Sequence, residues 1–146
     1  MANADFFKYK GRNVYYRIKG NGNPLVFLHD QLSSSQFFIS ETDFYSQQFT
    51  VLLFDFPGHG KSDPGSGLFT DYWFETALCT ISLCEYLNIQ NVNLLGTGSG
   101  SVTGLNAILE RLRMFLSLIA DSYMPYQDLK VFMEGHSRKK YSGTAF

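Results

Sequence analysis

Val92-Asn93-Leu94-Leu95-Gly96-Thr97-Gly98-Ser99-Gly100-Ser101 decides the architecture. Its first four residues are mostly apolar and read as the end of a buried strand. Gly96, Gly98 and Gly100 then crowd one short turn. Val102, Leu105, Ile108, Leu109 and Leu112 follow at helical spacing. A strand, a tight glycine turn and a helix, in that order, aim small groups and backbone N–H donors at one spot above a sheet.

Similar units lie upstream. Leu25-Val26-Phe27-Leu28 and Val51-Leu52-Leu53-Phe54 are continuous apolar runs, as expected of strands covered on both faces. The first ends in His29-Asp30 and a serine-rich loop, after which Phe37, Phe38, Phe44 and Tyr45 predict a short helix. The second runs into Asp55-Phe56-Pro57-Gly58-His59-Gly60-Lys61-Ser62-Asp63, a stretch rich in turn formers. Phe74, Leu78, Ile81 and Leu87 predict the apolar stripe of a longer helix, with Thr70 or Asp71 as its cap and Glu75 in its first turn. Phe115 to Ala120 reads as a last strand, ending at Asp121.

Residues 6–10 and 13–19 predict two further strands joined at Lys10-Gly11-Arg12, with Phe6, Phe7, Tyr15 and Tyr16 as packing residues. Strands and helices alternate from residue 25 to residue 120. That alternation predicts an α/β domain, a mostly parallel twisted sheet of about six strands with helices on both faces. Residues 1–125 form this core. Residues 126–146 read as a poorly ordered tail, with one helical stretch over Asp128 to Glu134 and a basic run around His136.

Composition sets the outer bounds. A chain of 146 residues with 45% hydrophobic content and a net charge of −1 fits one globular domain. The charge balance gives no reason to expect nucleic acid or an anionic membrane surface as partner. No apolar run reaches 18 residues, so no transmembrane helix is expected. Cys79 and Cys84 fall five apart on a predicted helix, diverge in direction and read as core thiols, which suits a cytoplasmic location. The cysteines and the three histidines lack ligand-like spacing, so neither a metal nor another cofactor is expected.

The glycine turn itself has three functional readings: a nucleophile elbow, a dinucleotide-binding turn and a methyltransferase turn. A fourth reading is that its glycines only let helix and strand pack closely. Other landmarks separate them. The buried strand ending in His29, the Asp55–Ser62 loop, Gly96-Thr97-Gly98-Ser99-Gly100 and Leu118-Ile119-Ala120-Asp121-Ser122 occur in that order. Together they resemble the first half of the α/β-hydrolase family. They match, in turn, its strand before the His-Gly oxyanion loop, its Asp-x-x-Gly-x-Gly-x-Ser loop, its Gly-x-Ser-x-Gly elbow and the strand after the elbow helix.

The resemblance covers roughly residues 6 to 125. It implies a truncated α/β-hydrolase-like fold with strand order 1-2-4-3-5-6 and residues 126–146 as the start of a cap. It also implies a serine-hydrolase type of activity on an ester or related small acyl substrate. Carried over residue by residue, it makes Gln31 and Ser99 the backbone N–H donors of an oxyanion hole.

The chemistry departs from the pattern. Gly98 stands at the nucleophile position and has no side chain with which to attack. A register slipped by one residue would make Ser99 the nucleophile, between Thr97 and Ser101. Asp30 replaces the family's oxyanion-loop glycine and is expected to face solvent. Asp121 is a candidate triad acid. His29 and His59 precede the elbow, and only His136 follows it, in the polar tail.

A catalytically inactive binding module is therefore the alternative to an enzyme. A remoter alternative is a nucleotide-cofactor protein of dinucleotide or methyltransferase type. Gly96-x-Gly98-x-x-Ser101 lacks the third glycine of the dinucleotide fingerprint, and Leu94 stands where the methyltransferase motif carries an acid. The strand from Phe115 to Ala120 is apolar and ends the sheet, so a homo-oligomer through that edge is a further expectation.

Overall fold

The computed structural model describes residues 3–64 and 72–122. Six strands form one sheet: β1 (Asn3–Tyr9), β2 (Arg12–Lys19), β3 (Asn23–Leu28), β4 (Phe49–Phe54), β5 (Val92–Thr97) and β6 (Phe115–Asp121). A 3-10 turn, Ser35–Phe38, leads into α1 (Ile39–Tyr45). Helix α2 spans Tyr72–Tyr86 and α3 spans Ser99–Glu110. The strand order is β1-β2-β4-β3-β5-β6, as the landmarks imply. The β1–β2 and β2–β4 pairs are antiparallel, while β3, β4, β5 and β6 run parallel.

Alternation along the central strands divides the core between the two faces. Val26, Leu28, Leu52, Phe54, Val92 and Leu94 point to the side covered by α2 and α3. Leu25, Phe27, Val51 and Leu53 point to the other, where Phe38 and Tyr45 of the 3-10 turn and α1 meet them. Phe27 stacks on Phe38 with ring centroids 4.9 Å apart. Both faces of β3 and β4 are thus covered, which is why their sequences are unbroken apolar runs.

Three packing expectations change. Phe6 is half exposed and makes an edge contact with Tyr15, because it lies on the outer face of an edge strand; Phe7 on the opposite face is buried. Leu112 lies past the end of α3 and is exposed, so the buried side of that helix is made by Val102, Thr103, Asn106 and Ala107 instead. In α2, Thr76, Ala77, Cys79, Thr80, Leu83 and Cys84 are buried beside Ile81, while Phe74, Leu78 and Leu87 are only partly covered. Thr76 and Thr80 are tolerated inside because each hydroxyl donates to the carbonyl four residues back, at 2.9 Å. Cys79 and Cys84 are free and buried. The expected cap of α2 at Thr70 or Asp71 and the tail over 126–146 lie outside the described residues.

Candidate functional site

The turn after β5 is built by close approach. Gly98 caps α3 with φ 53° and ψ −120°, a conformation that residues with a Cβ adopt only under strain. The Gly98 N–H donates to the Asp121 carbonyl at 3.0 Å, tying the turn to the end of β6. The buried Ser101 hydroxyl donates to the Gly96 carbonyl at 2.7 Å and lies 3.2 Å from the Asp121 carbonyl. Gly100 packs so tightly against β3 that a Cβ there would lie 2.8 Å from the His29 carbonyl oxygen. The turn therefore places Gly98 at its tip and Ser99 as the first residue of α3.

Asp30 is only partly exposed, where the sequence expectation was a solvent-facing side chain. Its carboxylate turns inward over the glycine turn. Oδ2 accepts the Ser99 N–H at 2.9 Å, and Oδ1 accepts the Leu32 N–H at 3.1 Å. The Ser99 hydroxyl lies 3.4 Å from Oδ2 and accepts the Gln31 N–H at 2.7 Å. Partial burial pushes the Asp30 carboxyl up, but the hydrogen bonds from Ser99 and Leu32 outweigh it and hold the group below its usual range. The two N–H groups assigned to an oxyanion hole, on Gln31 and Ser99, are thus both engaged by this chain's own side chains. A Cβ on Gly98 would overlap Oδ2, which makes glycine at 98 and aspartate at 30 a matched pair.

The histidines brace the loops. His29 is fully buried, stacked on Phe56 with centroids 3.9 Å apart. Its Nδ1–H donates to the Asp30 carbonyl at 2.7 Å, and its Nε2 accepts the Phe56 N–H at 3.0 Å. Acceptance at Nε2 requires the neutral ring. Burial dominates and lowers its pKa to about 4. His59 donates from Nε2 to the Gln31 carbonyl at 2.6 Å, and its Nδ1 lies 3.0 Å from the Tyr72 hydroxyl. His59 thereby anchors the Gln31–Leu32 peptide, whose N–H goes to Asp30, while His29 holds the Asp30–Gln31 peptide that presents the Gln31 N–H. Neither ring bonds to Ser99.

Asp55 organises the loop that holds His59. Its buried carboxylate accepts the Ser35 N–H on Oδ1 and the Lys61 N–H on Oδ2, each at 2.8 Å. The Ser62 hydroxyl donates to the Asp55 carbonyl at 2.6 Å. Asp121, read from sequence as a candidate acid, meets the elbow through its backbone carbonyl, and the residue is exposed. His136 lies outside the described residues. Among the described residues no group of three or more His, Cys, Asp or Glu could hold a metal ion.

Sequence reasoning missed two of these features: Asp30 as the occupant of the elbow and His59 as the clamp on Gln31. The first had a signal, since against the family pattern a small residue at 98 and a larger one at 30 fall where the two loops meet.

A family model described as alpha/beta hydrolase fold matches residues 23–133. The chain belongs to the α/β-hydrolase family. The match takes in the Asp55–Ser62 loop, which neither nucleotide-type reading of the glycine turn explains. The (E)-2-((N-methylformamido)methylene)succinate hydrolase of Acinetobacter baylyi is 29% identical over 92 residues, covering 62% of this chain and 34% of that protein. The uncharacterized hydrolase YugF of Bacillus subtilis is 27% identical over 115 residues, covering 77% of this chain and 42% of that protein. This α/β-hydrolase chain therefore spans well under half the length of those two curated relatives. Among solved structures, a hydrolase from Pseudomonas aeruginosa PA01 superposes with a TM-score of 0.80 at 18% identity, over 94% of this chain and 52% of that one. At that identity the likeness speaks to the fold alone.

Proposed function

We propose that this α/β-hydrolase chain is a catalytically inactive module whose elbow is closed by its own Asp30. One observation carries the reading: the Asp30 carboxylate accepts the Ser99 N–H at 2.9 Å, where an acyl oxyanion would have to sit. A fixed negative charge there opposes the charge that develops in acyl transfer. Gly98 adds no nucleophile, and no described histidine is placed to take a proton from Ser99.

The competing reading is a hydrolase of an ester or related acyl substrate with Ser99 as nucleophile. It draws support from the hydrolase names of the relatives and from the Gln31 N–H at 2.7 Å from the Ser99 hydroxyl. A fluorophosphonate probe decides between them. The module reading expects no labelling of the purified chain. Stoichiometric labelling at Ser99, lost in Ser99→Ala, overturns it.

A cytoplasmic location belongs to the same proposal and rests on the two free buried thiols. No helix among the described residues is long and apolar enough to cross a membrane.

A further inference from the structure

A concavity is walled in part by the Asp55–Ser62 loop. Its volume is about 250 Å³, and its walls include Tyr15 and Arg17 of β2, Ser34 and Gln36 of the 3-10 turn, and Asp55 and Lys61. Tyr15 and Arg17 stand two apart on a strand, so both project from the same face. The Lys61 ammonium sits 4.8 Å from the centroid of the Tyr15 ring.

The charges here are unevenly matched. Asp55 is the one carboxylate in the wall, and its two oxygens already accept the Ser35 and Lys61 N–H groups. Asp43, the acid whose field reaches Arg17, is itself paired with Lys19 at 2.5 Å. The ion pairs among the described residues, Lys10–Glu75, Lys19–Asp43 and Arg111–Glu85, leave out both Arg17 and Lys61. Two cations against one carboxylate leave a net positive cavity. The Ser34 hydroxyl accepts the Gln36 N–H and keeps its own proton to donate.

The geometry points to a binding site for the carboxylate of a small organic acid, held by Arg17 and Lys61 with its short apolar stem against the Tyr15 ring. The planar guanidinium matches a carboxylate through two parallel hydrogen bonds, and one net positive charge balances a monoanion. The volume admits a chain of a few carbons and excludes a drug-sized ligand. The site does not depend on whether Ser99 reacts, since its cations lie on β2 and in the Asp55–Ser62 loop and no residue of the elbow lines it.

Sodium butyrate titrated into the full chain tests it, with sodium chloride at equal ionic strength as the reference and amide NMR shifts as the readout. Saturable shifts are expected at the Ser35 and Lys61 amides. Arg17→Gln and Lys61→Gln should each weaken binding by about tenfold or more, as expected for loss of a charge-assisted hydrogen bond. Lys61 is exposed, so its variant keeps the test open even if Arg17→Gln perturbs β2. A linear response equal to that of chloride overturns the site. Unchanged affinity in both variants also overturns it. Inorganic phosphate displacing butyrate at lower concentration would replace the carboxylate assignment with a phosphate one.

Discussion

The Asp30 carboxylate occupies the space into which a side chain on Gly98 would project. Asp30 is held there by the N–H groups of Ser99 and Leu32, and Gly98 by its positive φ and its bond to Asp121. A side chain on Gly98 would have to displace the Asp30 carboxylate as well as adopt a strained φ.

That relationship predicts energetic coupling. Gly98→Ser should destabilise the fold by about 2 kcal/mol or more, through backbone strain and displacement of Asp30. In an Asp30→Gly background the same substitution should cost at least about 1 kcal/mol less, because only the strain remains. Urea unfolding of the four chains in the cycle measures this. Additive effects would show that Asp30 moves aside freely.

Restoring a serine at the tip is not expected to restore hydrolysis. Gly98→Ser, alone or with Asp30→Gly, supplies a hydroxyl without a general base. His29 and His59 spend their ring nitrogens on the loop backbone and Tyr72. Turnover of p-nitrophenyl acetate should stay at the background rate in both variants. A turnover created by Gly98→Ser and abolished by His136→Ala would contradict this and make His136 the base.

His29 predicts how stability changes with pH. In the folded chain its pKa is lowered from 6.5 to about 4 by burial, so the unfolded chain takes up its proton first as the solution is acidified. Its contribution is complete above pH 6.5 and is lost as the pH falls toward 4, to a limit of about 3 kcal/mol. The charges facing the ring are Asp30, Asp55 and His59, of which the acids oppose the shift and His59 adds to it. Urea midpoints between about pH 7 and about pH 4.5 should fall in parallel with an imidazole NMR signal that stays neutral until the lower end. A His29 ring that titrates at its ordinary value in the native state would remove the effect.

Thr103 in α3 is fully buried, and its hydroxyl has no hydrogen-bond partner among the described residues. Thr103→Val keeps the shape and removes the unsatisfied group. It should leave the fold equally stable or stabilise it by about 1 kcal/mol. A clear loss of stability would mean that the hydroxyl has a partner.

Among the described residues β6 pairs only with β5, and its Leu116 and Ile119 are 63% and 59% exposed. An apolar edge of this kind is a template for another strand. We propose two-fold pairing of β6 with β6 in a second copy. Light scattering should give a mass above that of one chain, reduced to the monomer by joint Leu116→Lys and Ile119→Lys. A monomeric wild type with slow amide exchange across Phe115–Ala120 would instead place a segment of the same chain over the edge.

The architecture was legible because it rests on local signals. Apolar runs at 25–28 and 51–54 mark strands buried on both faces, and the glycine spacing at 96, 98 and 100 marks a tight turn, in which a Cβ at Gly96 or Gly100 would meet backbone. Order along the chain then fixed the sheet, since parallel strands joined through helices admit few topologies. Boundaries and helix faces were less legible. Thr76 and Thr80 are buried because their hydroxyls bond within the helix, and Leu112 is exposed because α3 stops at Glu110; hydrophobicity alone reports neither. The sequence by itself determined a glycine turn between a strand and a helix, with Gly98 standing where the family resemblance places a nucleophile. Only the tertiary structure decided what fills the gap. Asp30 and Ser99 are 69 residues apart, and a polar residue in a loop reads as solvated until β3 and β5, paired side by side, bring its carboxylate onto the N–H groups at the start of α3.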